Sequence, residues 1–186
     1  MPTTFVFVRH AEGNHNIDGN KRGEIAYNDI KNFDAELTEN GIVQAINNNL
    51  IGETFDAIYC SPLRRCRQTL LNIYPLSSKL SVIVDDKLIE QPQGKFICDK
   101  RLEKHDISLV VPMSWNIDLV SVRNPFILNP DVDENKLLSF TELIKSKYPN
   151  GKVLIVSHGV WIHNWLLKYK SISKWLNNCE CIRVTI

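Results

Sequence analysis

The sequence predicts an α/β fold with a largely parallel central sheet. Short, mostly apolar runs rich in branched and aromatic residues occur at 4–8, 55–60, 80–84 and 152–157. Runs of that length without regular polar alternation are typical of strands buried on both faces, as in parallel sheets. Segments with a helical spacing of apolar residues lie between several of these runs, and this alternation of strand and helix favours an α/β architecture.

The first predicted strand, Thr4–Val8, leads into a polar stretch from 11 to 34 that is rich in Asn and Gly. We expect a long loop there, with a short helix at most. A helix is then expected from Thr38 to about Leu50, because a threonine oxygen can accept a hydrogen bond from the free amides at a helix start. The predicted apolar side of this helix consists of Leu37, Ile42, Ala45, Ile46 and Leu50.

The second predicted strand, Phe55–Cys60, is followed by Ser61 and Pro62. Serine as a helix cap and proline at the first helical position are a common helix start. A helix is therefore expected to begin directly after the strand and to end at about Ile73. Leu80–Val84 is the third predicted strand.

The stretch from Asp85 to Pro130 has a mixed composition, several prolines and no clean period. We interpret it as an insertion or cap that lies over the sheet, within a single domain spanning residues 1–186. The remaining elements are predicted as a helix at Val132–Tyr148, a strand at Lys152–Ser157, a helix at Gly159–Lys168 and a strand at Cys181–Ile186.

Charge and composition exclude several classes of protein. Lys and Arg total 22 and Asp and Glu total 21, so the formal net charge is +1, without the basic excess of a general nucleic-acid binder. No apolar run approaches the ~20 residues of a membrane span, and the first residues lack a secretory signal pattern. Five cysteines without a C-x-x-C pair indicate reduced thiols. We expect a cytoplasmic protein with no nucleic-acid or membrane partner.

Ionisable residues follow three of the predicted strands. The first strand ends on Arg9 and His10, and the second on Ser61 with Arg65 in the following helix. The strand from Lys152 ends on Ser157 and is followed directly by His158. Because ligands of open α/β sheets bind at the carboxyl ends of the strands, we expect these groups to converge. Histidines, arginines and helix N-termini on one edge form a pocket for a small dianion such as phosphate.

This set of residues favours covalent chemistry without a metal. A neutral imidazole is a nucleophile, and arginines around it can stabilise the charge of a phosphoryl transition state. The sequence contains no D-x-D cluster, no H-E-x-x-H motif and no Gly-rich P-loop. We therefore expect neither a metal nor another cofactor.

Four blocks of the sequence resemble the histidine phosphatase superfamily, also called the phosphoglycerate mutase-like family. Residues 9–16 (RHAEGNHN) are similar to its R-H-G-E-x-x-x-N opening, and residues 37–41 (LTENG) to its L-T-x-x-G block. Residues 61–69 (SPLRRCRQT) resemble S-P-L-x-R-A-x-Q-T, and residues 156–159 (VSHG) resemble its (S/T)-H-G block. All four occur in family order, and further details resemble the eukaryotic branch of plants and fungi. The resemblance implies a three-layer α/β/α sandwich.

The resemblance also assigns roles to individual residues. His10 matches the phosphorylated histidine, and Arg9, Arg65 and His158 match the other members of the phosphate pocket. Glu90 follows the third strand, where the family carries its proton donor; a solvated loop carboxylate is the alternative. The matched contacts to phosphate or substrate are Asn16, Arg101 and Gly159.

Helix geometry separates the neighbouring arginines. At about 100° per residue, Arg65 and Arg67 point to nearly opposite sides of a helix. The family register selects Arg65 for the pocket, so Arg67 is expected at the surface or between elements. We expect His15, His105 and His163 to be structural, and the charged run from Asp99 to Lys104, apart from Arg101, to be mostly a solvated surface.

The predicted function is metal-independent hydrolysis of a small phosphomonoester through a phosphohistidine on His10. A phosphoglycerate mutase is the first alternative, and a non-catalytic protein that binds a phosphorylated ligand is the second. Family mutases close their site with a longer C-terminal tail, whereas 28 residues follow His158 and most are assigned to a helix and a strand. We expect little cover from that end, so that phosphate release to water dominates over transfer.

Overall fold

A computed structural model describes residues 2–74, 80–92, 95–109, 115–119, 121–123 and 133–186. The strands are β1 (Thr4–Arg9), β2 (Ala57–Cys60), β3 (Ser81–Val84), β4 (Asn116–Asp118), β5 (Lys152–Ser157) and β6 (Cys181–Thr185). The helices are α1 (Asn14–Arg22), α2 (Glu39–Ile46), α3 (Arg64–Ile73), α4 (Lys104–Leu109), α5 (Asp133–Lys147) and α6 (Gly159–Lys170).

The six strands form one sheet in the order β4-β3-β2-β5-β1-β6. All neighbouring strands are parallel except β6, which runs antiparallel to β1 at the edge. The predicted parallel sheet is thereby confirmed. Its central strand β5 lies between β1 and β2, so the ends of these three strands meet at one edge.

Side chains alternate along β1 and supply two separate cores. Phe5 and Phe7 pack on one face with Trp161 and Trp165 of α6, and residues of α5 join this core. On the other face, Val6 joins a core that includes residues of α2 and α3. The sheet is therefore covered by helices on both faces, as the sandwich prediction requires.

Helix α1 and the two 3-10 segments that follow it replace most of the expected loop between 11 and 34. The 3-10 segments span Gly23–Asn28 and Ile30–Asn32. His15 is the buried residue of α1, so the helix has no apolar period that could be detected in the sequence. Its start is stabilised instead by the Asn16 side chain, whose Oδ1 accepts from the Gly13 amide at 2.9 Å.

Helix α2 begins at the predicted cap, since the Thr38 hydroxyl accepts from the Gly41 amide at 2.9 Å. It ends at Ile46 rather than near Leu50. The predicted apolar side is partly wrong, because Ile42 is 38% exposed and Ile46 is 51% exposed. Leu37, Ala45 and Leu50 of the predicted side are buried, and Gly41 is the other buried residue of the helix.

Two further elements differ from the predictions. Helix α3 starts at Arg64 rather than directly after Ser61, with Leu63 as its cap residue. Strand β4 extends the sheet from within the stretch expected to lie over it. The predicted boundaries at Pro130 and Val132 lie outside the described residues. Within the described part of the chain, no helix is long and apolar enough to cross a membrane, and all five cysteines are free thiols.

Candidate active site

The register of the central strands explains why distant residues meet. Arg9 on β1 lies opposite Ser157 on β5, and Cys60 on β2 lies opposite Val156. The residues that follow these strands are therefore neighbours at the carboxyl edge of the sheet. His10 and His158 are brought together there, with ring centroids 5.2 Å apart.

His10 is held with one nitrogen engaged and the other free. Its Nδ1 lies 2.7 Å from the carbonyl oxygen of Ala11, which can only accept, so Nδ1 carries the proton. Burial, followed by the charges of Arg65, His15 and Arg9, lowers the pKa of His10 well below its usual range. The ring is therefore neutral near pH 7, and its Nε2 carries a free lone pair.

Two arginines flank this histidine; Arg65 is buried and Arg9 is half-buried. Arg65 donates from Nη1 to the Cys98 carbonyl at 2.8 Å and from Nη2 to the Asp99 carboxylate at 2.8 Å. Burial, the largest single effect, opposes the charged form of Arg65, but Asp99 and the other acidic groups nearby together outweigh it, so the pKa of Arg65 is raised. Arg9 donates from Nη1 to the Leu176 carbonyl at 2.7 Å. The Nε atoms of both arginines are buried, and neither has a hydrogen-bond partner among the residues that the structure describes.

Gly159 makes room for the Arg9 side chain. A Cβ atom at this position would lie 3.3 Å from Nε of Arg9, tighter than an ordinary contact. The glycine at the start of α6 therefore lets the guanidinium approach the helix backbone closely.

Glu90 lies against the N-terminus of α6. Its Oε1 accepts from the amides of Gln91 at 2.9 Å and Trp161 at 3.1 Å, and its Oε2 accepts from the amide of Val160 at 3.3 Å. Burial, together with the negative charge of Asp99, raises the pKa of Glu90 to about 7 in spite of these donors. At neutral pH the carboxyl group therefore exchanges readily between its protonated and ionised forms.

His158 lies behind His10 rather than on the cleft surface. Its ring is fully buried, and its Nε2 lies 2.8 Å from the hydroxyl of Ser61. The thiol of Cys66 lies 3.4 Å from the same nitrogen. Burial, then the charges of Arg65 and His10, lower the pKa of His158, so this ring is also neutral.

These groups border one cleft of about 200 Å³. Pockets for drug-sized ligands measure about 300–1,000 Å³, so this cleft suits a small molecule. Within the described part of the chain, no group of three His, Cys, Asp or Glu residues could hold a metal ion. The cleft is lined by Arg9, His10, His15, Asn16, Tyr27, Arg65, Glu90, Gln91, Phe96, Cys98, Asp99, Gly159, Val160 and Trp175.

Comparison with known proteins identifies the family of this arrangement. The sequence profile of the Histidine phosphatase superfamily (branch 1) matches residues 5–178. The chain belongs to this superfamily. The match extends over nearly the whole chain and confirms the family resemblance; the narrower likeness to its eukaryotic branch stays a prediction.

Relatives within the superfamily include both phosphatases and mutases. Phosphoserine phosphatase 1 of Hydrogenobacter thermophilus is 28% identical over 162 residues, which cover 83% of this chain and 70% of that protein. Phosphoglycerate mutase from Bacillus anthracis superposes with a TM-score of 0.67 at 21% identity, over 100% of this chain and 88% of that one. Phosphoserine phosphatase from Entamoeba histolytica was solved in complex with 3-phosphoglyceric acid. It superposes with a TM-score of 0.60 at 22% identity, over 97% of this chain and 89% of that one. The family places the chain among phosphatase- or mutase-type enzymes.

The superfamily motifs hold one another in place around the cleft. Glu12 of the first motif accepts from the Thr38 hydroxyl of the second at 2.7 Å. In the third motif, the Thr69 hydroxyl accepts from the Ala11 amide at 2.9 Å, and the Gln68 side chain accepts from the Leu37 amide at 2.8 Å. The loop that carries His10 is therefore fixed from two sides.

Most of the sequence-predicted site residues come together. The structure brings six of them to one cleft: Arg9, His10, Asn16, Arg65, Glu90 and Gly159. His158 packs against His10 but does not line the cleft, because Ser61 and Cys66 enclose its ring.

Arg101 does not line the cleft, so the structure places this predicted substrate contact elsewhere. Its guanidinium is buried and pairs with the Asp86 carboxylate at 2.8 Å. Arg67, expected at the surface or between elements, is buried between elements, with Nε 3.0 Å from the Pro62 carbonyl and Nη2 3.7 Å from Asp34. Both arginines find carboxylates from other segments, and their spacing in the sequence does not show this.

Eight of the fourteen lining residues were not predicted from the sequence, and three of them bear on its expectations. His15, expected to be structural, is buried in the cleft 5.4 Å from the His10 ring. Asp99, expected on a solvated surface, is the buried partner of Arg65. Trp175 reaches the cleft from the segment between α6 and β6, which was expected to provide little cover. The position of His15 directly before Asn16, within the first motif, is the one signal that could have found it.

Proposed function

We propose that the protein hydrolyses small phosphomonoesters through a phosphohistidine on Nε2 of His10. The observation that carries the proposal is the state of this ring, which is neutral and donates from Nδ1 to Ala11. Its Nε2 lone pair is the nucleophile and attacks phosphorus as the bond to the leaving oxygen breaks. The small volume of the cleft supports a small substrate.

Arg9 and Arg65 provide the phosphate seat in this proposal. Their buried Nε atoms have no partner within the described part of the chain. A buried donor without a partner costs about 1–3 kcal/mol, which phosphoryl oxygens would recover by accepting from it. Donors fixed before the reaction also stabilise the charge that develops on those oxygens in the transition state.

Glu90 is the proposed acid and base. In its protonated form it donates a proton to the departing alkoxide, which leaves as an alcohol. The resulting carboxylate then accepts a proton from water as this water attacks the phosphohistidine and releases phosphate. A pKa of about 7 suits both steps, because neither form of the carboxyl group is rare at neutral pH.

His158 acts as a positioning residue in the same proposal. Its enclosed ring packs on His10 and limits the rotation of the nucleophile. Asn16 contributes an oxygen that accepts from Gly13 and from Asn178, and so joins the first motif to the segment before β6.

The test measures phosphate release from a panel of phosphomonoesters, with and without chelator, for the wild type and for His10→Ala. We expect turnover by the wild type in both conditions, an acid-labile and base-stable label from a phosphorylated substrate, and neither in the variant. A folded His10→Ala protein with full activity would disprove the mechanism. Loss of activity with chelator would show a metal requirement. A wild type that binds phosphomonoesters without turnover would identify the non-catalytic alternative.

A phosphoglycerate mutase remains the second candidate, since a mutase from Bacillus anthracis has the same fold. The segment from 171 to 180 adds cover over the site, because Leu176 and Asn178 bond to Arg9 and His10. Product partitioning decides between the two. We expect 3-phosphoglycerate with a trace of 2,3-bisphosphoglycerate to yield no rapid 2-phosphoglycerate; its rapid formation with little free phosphate would establish the mutase.

A further inference from the structure

We propose that the outer part of the cleft binds an uncharged leaving group that contains a ring. Small phosphomonoesters with such a leaving group are then the preferred substrates. This inference rests on the proposed function and adds the chemistry of the leaving group. It is carried by the aromatic wall, which we define as Tyr27, Phe96 and Trp175, and by the distribution of charge along the cleft.

The charged groups of the cleft are already matched once phosphate is bound. Its described lining contains two guanidinium groups, Arg9 and Arg65, and two carboxyl groups, Glu90 and Asp99. A bound phosphate dianion would pair with both arginines, and Arg65 already forms an ion pair with Asp99. No other lysine or arginine is among the described residues that line the cleft, so a second anionic group on the substrate would face two carboxyls without a cation.

Lys95, the neighbour of the lining residue Phe96, does not change this balance. Lys95 precedes Phe96, and its Nζ lies 4.6 Å from the centre of that ring. The same Nζ pairs with Glu24 at 2.8 Å and is not part of the lining. A carboxylate on the leaving group would therefore compete with an existing ion pair.

The aromatic wall begins two ring contacts away from the nucleophile. The His10 and His15 rings are 5.4 Å apart, and those of His15 and Tyr27 are 6.2 Å apart. Tyr27 in turn lies 5.3 Å from Phe96. A ring joined to the scissile oxygen by a short linker would therefore reach the wall.

Tyr27 has its place on the wall because of a glycine in α1. A Cβ atom on Gly19 would lie 2.5 Å from the Tyr27 hydroxyl oxygen and 2.7 Å from ring carbons. Any larger residue at position 19 would thus displace this ring. The helix is shaped to hold the tyrosine at the cleft.

Trp175 is exposed and yet oriented. Trp175 is 58% exposed, and its ring stacks on the ring of His163, with the two centroids 4.0 Å apart and an interplanar angle of 10°. His163 is itself tied to this segment, since its Nδ1 lies 3.1 Å from the Lys174 carbonyl. A ligand that covers the exposed apolar surface of this ring is stabilised by its burial. Because the ring is already held in place, it loses little conformational entropy when the ligand binds.

The test compares substrates that differ in the ring but not in the type of leaving group. Both 2-phenylethyl phosphate and ethyl phosphate release a simple alkoxide, so their intrinsic reactivities are similar. We expect kcat/KM to be at least about tenfold higher for 2-phenylethyl phosphate, mainly through KM, as burial of a phenyl ring predicts. Equal values for the two would overturn the inference, as would a preference for O-phosphoserine or for phosphocholine.

Variants locate the effect on the wall. Trp175→Ala should bring the ratio of the two kcat/KM values towards one, and Trp175→Phe should retain part of it. Ile172→Ala is the matched control, because Ile172 lies in the same segment, is 40% exposed and does not line the cleft; its ratio should stay at the wild-type value. An unchanged ratio in folded Trp175→Ala would overturn the inference. If ethyl phosphate and 2-phenylethyl phosphate are hydrolysed equally well, this inference is wrong but the proposed function stands. If no phosphomonoester is hydrolysed, the proposed function is wrong as well.

Discussion

His10 and Glu90 face the same cleft, and burial drives them in opposite chemical directions. Burial disfavours the charged form of each group, so the histidine loses its proton and the carboxyl keeps one. Near pH 7 the proposed nucleophile is thus neutral, and a large share of the proposed acid still carries its proton. Burial is thus the largest cause of both pKa shifts.

The pH dependence of turnover follows from Glu90. Its pKa of about 7 means that the protonated acid is lost as the pH rises, so kcat should fall above about pH 7. His10 remains neutral on the acid side, because its pKa is lowered well below the usual range. Measurement of kcat from pH 5 to 9 should show the alkaline fall in the wild type and none in the residual activity of Glu90→Gln. The same fall in this variant would assign it to another group.

Substitution of Arg65 and of Arg67, two of the three arginines of α3, should have different effects. Arg65→Ala removes a donor from the proposed phosphate seat and should lower kcat/KM by about 10²–10³. Arg67→Ala leaves the buried Asp34 without its cation and should lower the free energy of unfolding by about 3–5 kcal/mol, while kcat/KM changes little.

Steady-state kinetics and urea denaturation of both proteins check this prediction. Arg65→Lys is the control, because it keeps a cation beside Asp99 and so preserves the fold. A larger loss of kcat/KM in Arg67→Ala than in Arg65→Ala would show that the arginine assignment is reversed.

Contacts between loops and helix ends, more than the helices themselves, align the site. Helix α2 meets the loop after His10 through Gly41, where a Cβ atom would lie 2.1 Å from the Glu12 carbonyl oxygen. No real Cβ contact is that short, so the glycine is required for this packing. It sets the position of Glu12, which then accepts from Thr38.

Gly41→Ala should therefore destabilise the protein by about 2 kcal/mol or more, since the backbone must shift to admit the methyl group. Because the loop that moves carries His10, kcat/KM should fall in the same variant. Val43→Ala on the same helix is 54% exposed and should change stability by less than about 0.5 kcal/mol. Urea denaturation of the two variants measures the difference; equal midpoints would show that the helix adjusts freely.

The whole molecule buries three neutral histidines in one place, and this has a consequence for stability. Burial first, and then nearby positive charge, lowers the pKa of His10, His15 and His158 in the folded protein. The unfolded chain binds protons at these residues near pH 6.5, so it holds more protons than the folded state below that pH. Stability is therefore highest above pH 6.5 and decreases as the pH falls.

Each of these histidines contributes a slope of up to about 1.4 kcal/mol per pH unit between its lowered folded pKa and pH 6.5. Glu90, whose pKa is raised to about 7, gives the opposite slope between its unfolded pKa and about pH 7 and offsets roughly one histidine. Thermal unfolding from pH 7.5 to 5 should therefore show a net decrease in Tm, and His15→Gln should reduce the slope by up to about one half. Asn16→Ala lines the same cleft without an ionisable group and should keep the wild-type slope. A Tm that does not change over this range would contradict the neutral state of the cluster.

The sequence by itself determined the elements whose signal is local. The apolar runs of β1 and β5 and the Thr38 cap rest on spacing within a few residues, and the structure confirms them. The family motifs likewise predicted His10 and Arg65 for one site, because each motif is a short contiguous string, and both residues line the same cleft. The predictions of strands and caps hold because neighbouring residues on one strand or helix have a fixed geometry.

Tertiary structure alone decided which polar residues are buried and what they meet. Asp99 lies within a charged run that suggests a solvated surface, yet it is enclosed by Arg65 from another helix. Trp175 and His15 reach the cleft from segments without apolar periodicity, and Arg101 is drawn to Asp86 instead. The physical reason is that a charge or an imidazole is buried only where a distant partner or packing surface compensates its lost hydration, and the meeting of distant segments is set by the sheet register rather than by spacing along the chain.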